Sequence, residues 1–187
     1  MGAELWIEAL PIMESIFNSN QSSSCRCLEL GSGTGLAGIS LLRYYGQTIT
    51  FHLIFSDNSQ SALDLCRFNC QQNGFDDNPS SQHSSVQFEL LHWGSSLPKD
   101  IKLPLDVVFA TDVIYDADAW SPLLETARSS LSMGGHLIVS HVPRAALPKE
   151  STGEPRHYHD ALESFLLETA TMHGFSLKST LRPKDLH

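Results

Sequence analysis

The 187 residues, 41% of them apolar, suffice to bury one core without disulfides or metals. Twenty-one acidic residues against 12 lysines and arginines give a formal charge of −9, which argues against nucleic-acid phosphates as a partner and suits a basic protein surface. No run reaches the roughly 18 apolar residues of a membrane span, and no cationic-then-apolar leader opens the chain.

Leu5, Trp6, Ala9, Ile12, Met13, Ile16 and Phe17 recur at helical spacing and predict an opening amphipathic helix, bent in or near Pro11. The serine-rich residues 18–24 form a loop, so residues 1–24 precede the core. An apolar run at 25–30 predicts a first strand, which enters Gly31-Ser32-Gly33-Thr34-Gly35 and then a helix at 36–44. A second strand at 50–55 ends at Ser56-Asp57, and a helix at 61–72 stops at Gly74. Residues 73–85 are a Ser/Asp/Asn-rich loop. Strands follow at 86–91 and 105–110, then a helix at 120–131, a turn at Met133-Gly134-Gly135 and a fifth strand at 136–140. A loop at 145–155, a helix at 157–173 and a sixth strand at 175–181 complete the chain.

Strands alternating with helices predict an α/β fold over 1–187 as one domain. The sheet is doubly wound and mostly parallel, with ligands at the carboxyl ends of its strands. The cysteines, Cys25-x-Cys27 and Cys66-x-x-x-Cys70, fall on one face of a strand and one face of a helix. They lack zinc-ribbon or redox spacing and read as core thiols, which leaves no metal site and places the chain in a reducing compartment, the cytoplasm or alternatively the nucleus. His157-Tyr158-His159 puts its two histidines on different faces of a helix, which disfavours a metal site there. Arg144, after the fifth strand, either orients substrate or solvates its loop.

Gly31, Gly33 and Gly35 lack a Cβ, so the backbone turns sharply and a ligand approaches closely. Gly33-x-Gly35-x-x-Gly38 also matches a dinucleotide fingerprint, but the glycine that follows the strand is Gly31, which puts that pattern out of register. No Gly-Lys-Ser/Thr appears, which excludes a P-loop. Asp57, after the second strand, suits the two hydroxyls of an adenosine ribose or else a helix cap, and Asn58 is either a cofactor neighbour or the N-cap of the next helix.

Glu29-Leu30-Gly31-Ser32-Gly33-Thr34-Gly35, Asp57, His92-Trp93-Gly94 and Asp112-Val113-Ile114-Tyr115 together resemble methyltransferase-like family 16. Its members are seven-β-strand, S-adenosylmethionine-dependent enzymes, many of which methylate lysine in specific non-histone proteins. Gly2-Ala3-Glu4-Leu5-Trp6-Ile7-Glu8-Ala9 is similar to their pre-core Gly-x-x-x-Trp-x-x-Ala element. The resemblance implies a class I methyltransferase (Rossmann-like) fold and S-adenosylhomocysteine as product. It implies Trp6 near the cofactor, Glu29, Gly31 and Gly33 along its methionine and ribose side, Asp57 on the ribose, Trp93 beside the adenine and Ala110 at its edge. Asp112 and Tyr115 then face the reacting methyl group as the catalytic pair. Two departures stand out: His92 replaces a residue often acidic in the family, and the chain stops before a seventh strand, as a truncated or a short enzyme would.

The function implied is methylation of a lysine on a specific protein. Alternatives are a small molecule, a histidine or an arginine as acceptor, or a non-catalytic module that keeps the cofactor fold to grip a partner. The sequence expects no nucleic acid and no membrane, and it leaves the oligomeric state open.

Overall fold

The computed structural model describes residues 16, 23–75, 84–141 and 155–178. Their elements are β1 (Ser24–Leu30), α1 (Leu36–Tyr45), β2 (Thr50–Asp57), α2 (Gln60–Gln72), β3 (Ser85–Leu90), β4 (Leu105–Thr111), a 3-10 turn (Ala117–Ala119), α3 (Trp120–Ser130), β5 (Leu131–Ser140) and α4 (Pro155–Met172). Five strands form one sheet in the order β3-β2-β1-β4-β5, and every pair is parallel. The winding direction reverses between β1 and β4, which opens a crevice at their carboxyl ends.

The central strands are buried on both faces, so their side chains sort by parity into two cores. Along β1, Cys25 and Cys27 enter the core shared with α1 and α2, whereas Leu28 and Leu30 enter the one shared with α3. On β2, Phe51, Leu53 and Phe55 join the first and Ile54 the second. All four thiols lie in the first core, with Cys25 Sγ and Cys27 Sγ 3.4 Å apart.

Helix ends follow local chemistry. Gly74 adopts φ 81 and closes α2: its N–H donates to Gln71 O, and the next N–H, of Phe75, reaches back to Cys70 O. The start of α2 is capped by Ser59, whose hydroxyl accepts from Ala62 N–H at 3.4 Å; Asn58 is exposed and does not cap.

Two elements differ from the sequence expectation. The turn at Met133-Gly134-Gly135 lies inside β5, as a bulge: between successive pairings the register advances two residues on β4 and five on β5. Gly134 takes φ 81 and Met133 is 92% exposed, so the extra chain loops away from the ladder. No sixth strand forms at residues 175–178. Gly174, at φ 82, closes α4 and Phe175 donates its N–H to Ala170 O at 3.0 Å, so that donor serves the helix end rather than a ladder. Phe175 turns onto the second core and Leu177 is left exposed.

Of the opening helix only Ile16 is described; it is helical and buried in the first core. Trp6, Pro11, Arg144 and residues 179–181 lie outside the described residues, as do the side chains of His157 and His159.

Candidate active site

A cleft of about 670 Å³ opens where the carboxyl ends of β1, β2, β3 and β4 converge, at the reversal of the winding. Its walls carry Glu29, Asp57, Asp112 and Asp116 but neither lysine nor arginine among the described residues. A group bearing positive charge is favoured there, and a pyrophosphate meets no cation.

The floor is the glycine turn. Gly31, Gly33 and Gly35 all take positive φ, at 69°, 52° and 79°. A Cβ on Gly31 would stand 2.8 Å from Val113 Cγ1 and 3.3 Å from Trp93 Cζ2, so this position admits only hydrogen. At Gly33 nothing lies within 4 Å of that point: its side faces open cleft, as a close backbone approach to a ligand requires. Ser32 N–H donates to Ser56 O at 2.8 Å, and Asn69 Nδ2 holds Thr34 O at 2.9 Å.

Two acidic side chains brace the turn and the helix after it. Glu29 is 2% exposed, and its Oε2 accepts the Gly38 N–H at 3.1 Å. Burial pushes its carboxyl well above the ordinary range; Cys66 and Asp57 nearby add to this, and the Gly38 hydrogen bond partly offsets it. Asp57 accepts Gly33 N–H through Oδ2 at 2.9 Å and Ser59 N–H through Oδ1 at 3.0 Å. Each oxygen keeps a lone pair for a further donor, as recognition of a diol needs.

The opposite wall follows β4. Asp112 extends the ladder by one bond, donating its N–H to Ser140 O at 2.7 Å, and takes φ 54. This is the one non-glycine with positive φ among the described residues, and such an outlier is where functional geometry is often held. A tight turn follows, with Tyr115 N–H on Val113 O at 3.2 Å, and the Tyr115 side chain is 62% exposed at the mouth.

The cleft therefore brings together Glu29, Gly31, Gly33, Asp57, Asn58, Trp93, Asp112 and Tyr115 of the residues singled out in the sequence. Ala110 is not in the lining: it is 1% exposed, inside the second core, and its neighbour Thr111 reaches the cleft instead. Sequence reasoning passed over Asp116, a fourth carboxylate on the wall, and Leu36, half exposed at the start of α1. It also passed over Asn69 and Thr126, which brace the site from helices. Thr126 had one signal, a polar residue on the apolar face formed by Leu123, Leu124 and Ala127.

A family model described as lysine methyltransferase matches residues 1–156. The protein-lysine N-methyltransferase EFM3 of Chaetomium thermophilum is 29% identical over 153 residues, covering 76% of this chain and 43% of that protein. The protein N-lysine methyltransferase METTL21A of Danio rerio is 28% identical over 114 residues, 61% of this chain and 47% of that protein. The chain thus spans less than half the length of these two curated relatives. A solved coclaurine N-methyltransferase, bound to N-methylheliamine and SAH, superposes with a TM-score of 0.50 at 14% identity, covering 71% of this chain and 35% of that one. That likeness establishes the class I methyltransferase fold, doubly wound and Rossmann-like.

Proposed function

Since the chain belongs to the lysine methyltransferase family, we propose that its cleft binds S-adenosylmethionine and that the chain methylates a lysine side chain on a specific protein. One observation carries the reading. A single cleft gathers the open Gly33 backbone, Asp57, Trp93 and the Asp112–Tyr115 wall, with acidic side chains and, among the described residues, neither lysine nor arginine. This suits a cofactor that joins a ribose to a positively charged sulfonium, and it disfavours a dinucleotide.

In this reading Asp57 receives the ribose hydroxyls, Trp93 borders the adenine, and the turn from Gly31 to Gly33 lies along the rest of the cofactor. When bound, the cofactor supplies an electrophilic methyl group. The remaining work belongs to the chain: positioning the acceptor in line and keeping water out. Asp112 accepts a hydrogen bond from the incoming ammonium and aligns it, and the nitrogen becomes a nucleophile once it has released a proton to solvent. A carboxylate also stabilises the ammonium's proton, so Asp112 docks the lysine and is no strong base. Tyr115 forms the aromatic side of the entry. Asn58 lies at the rim near the ribose end.

The acidic wall and the charge of −9 support a basic, lysine-bearing protein surface as partner, and they speak against nucleic acid. The four reduced thiols support a reducing compartment, and we place the protein in the cytoplasm.

The deciding experiment is transfer of a radiolabelled methyl group from S-adenosylmethionine into a lysate of cells lacking this protein, beside an Asp112→Ala control. One labelled protein that disappears in the control is the expected result. Label confined to small molecules, or no label despite S-adenosylhomocysteine binding, overturns the protein-lysine reading.

A further inference from the structure

Thr126 sits inside α3, 1% exposed, on a buried helix face that also carries Trp120, Leu123, Leu124, Ala127 and Ser130. Its hydroxyl donates to Pro122 O at 2.9 Å, which commits the proton to its own helix. The oxygen is left to accept, and it accepts the Gly94 N–H at 2.8 Å. Gly94 follows Trp93 and takes φ 77, a left-handed turn that aims its N–H into the helix. A Cβ there would lie in ordinary contact with Pro122 Cβ at 3.4 Å, so the turn runs close beside the helix. Trp93 is caught between this anchor and the glycine turn, its Cζ2 3.3 Å from the missing Cβ of Gly31.

We propose that Thr126 is a positioning residue for cofactor recognition: its hydroxyl fixes the Trp93–Gly94 turn and so sets Trp93 as the wall of the cofactor's base. The reasoning is one of donors and acceptors. The Gly94 N–H is aimed at the helix, where the buried Thr126 oxygen is its acceptor. With that acceptor removed, the N–H must turn towards water, and Trp93, one residue earlier, turns with it. The effect belongs to cofactor affinity and not to the acceptor side, because Asp112 and Tyr115 hang from β4 and are held by Ser140 and Val113. The proposal rests on the reading that this cleft binds S-adenosylmethionine.

The test is calorimetric titration of S-adenosylhomocysteine into the full chain as wild type, Thr126→Val, Thr126→Ser and Trp93→Phe, and into a Thr126→Val/Trp93→Phe double variant, well below each Tm. Valine keeps the shape and loses the acceptor, so the Kd rises about tenfold, the scale of one buried hydrogen bond. Serine keeps the oxygen and restores the wild-type Kd. In the Trp93→Phe background the loss from Thr126→Val shrinks, because Thr126 acts through the indole. A lowered Tm with an unchanged Kd in Thr126→Val, or an undiminished loss in the double variant, overturns the proposal. Should Thr126→Val fail to fold, Thr126→Ala is read against the same outcomes. A wild type that does not bind S-adenosylhomocysteine overturns the functional reading and this inference together; wild-type binding with an unaffected Thr126→Val overturns this inference alone.

Discussion

Val113 rests on Gly31, its Cγ1 2.8 Å from the point that a Cβ at position 31 would occupy. The floor of the cleft and its opposite wall are therefore one packed unit: the residue after Asp112 closes on the first glycine after β1. Gly31→Ala meets two penalties, the clash with Val113 and a left-handed φ of 69°. Together these cost about 2–4 kcal/mol. Val113→Ala in the same chain should recover the steric share and leave the conformational one. A thermal melt of the single and double variants separates the two, and equal Tm for both would contradict the contact.

Asp112 holds φ 54, which for a residue with a Cβ costs about 1 kcal/mol. Asp112→Gly relieves that strain and adds chain entropy to the unfolded state, so the Tm should stay within a few degrees of wild type. Methyl transfer should fall by about a hundredfold or more, since the group that aligns the acceptor is gone. Asp112→Ala should lose the activity and in addition be the less stable of the two. A glycine variant with wild-type kcat/KM would remove Asp112 from the reaction.

Much of this architecture is legible in the sequence because it is local. Parallel strands buried on two faces read as unbroken apolar runs, as in Val107-Val108-Phe109-Ala110, and the left-handed stop at Gly74 needs no knowledge of the fold. Once strands alternate with helices, strand ends must meet, which is why Asp57, Trp93 and Asp112 converge although 55 positions separate the first from the last. What stayed hidden depends on partners distant in the chain. The Thr126 bond to Gly94 and the Asn69 bond to Thr34 are set by helix packing, and no pattern in a single chain encodes them. The five-for-two slip opposite Leu105 keeps Leu131 in the ladder and so extends β5 past the glycines that look like its start. The predicted strand after α4 failed for a local reason, since Gly174 turns Phe175 back onto the helix end.

Gly38 sets two known effects against each other. In a helix interior, alanine for glycine is worth about 1 kcal/mol. Here a Cβ would stand 2.4 Å from Phe55 Cε1 and 2.6 Å from Glu29 Oε2. Phe55 is fully buried and stacked on Phe88 with ring centres 5.3 Å apart, so it has no room to retreat. Overpacking of about 1–3 kcal/mol or more should outweigh the propensity gain and make Gly38→Ala a destabilising change. Phe55→Leu in the same chain should restore part of the loss. A Gly38→Ala protein that melts higher than wild type would show that the contact between α1 and β2 yields more easily than its burial implies.

Glu29 gives the fold a pH dependence of unusual sign for a carboxylate. Burial raises its pKa well above the ordinary value, so between that value, about 4.3, and the raised one the folded state holds a proton the unfolded state has released. The contribution of this group to stability is whole below the unfolded pKa and is lost as the pH rises through the folded one. Glu29→Gln removes the titration while its amide oxygen still accepts the Gly38 N–H. The variant should therefore melt above wild type at pH 8, with the gap closing as the pH falls towards 4. Its binding of S-adenosylmethionine should weaken at the same time, because an amide on the cleft floor, unlike a carboxyl, has no negative charge to offer a cationic ligand. Melting curves at both pH values and a titration with the cofactor test the two halves separately. A wild type at least as stable as Glu29→Gln at pH 8 would refute the burial argument, and unchanged affinity would confine Glu29 to holding α1 against β1.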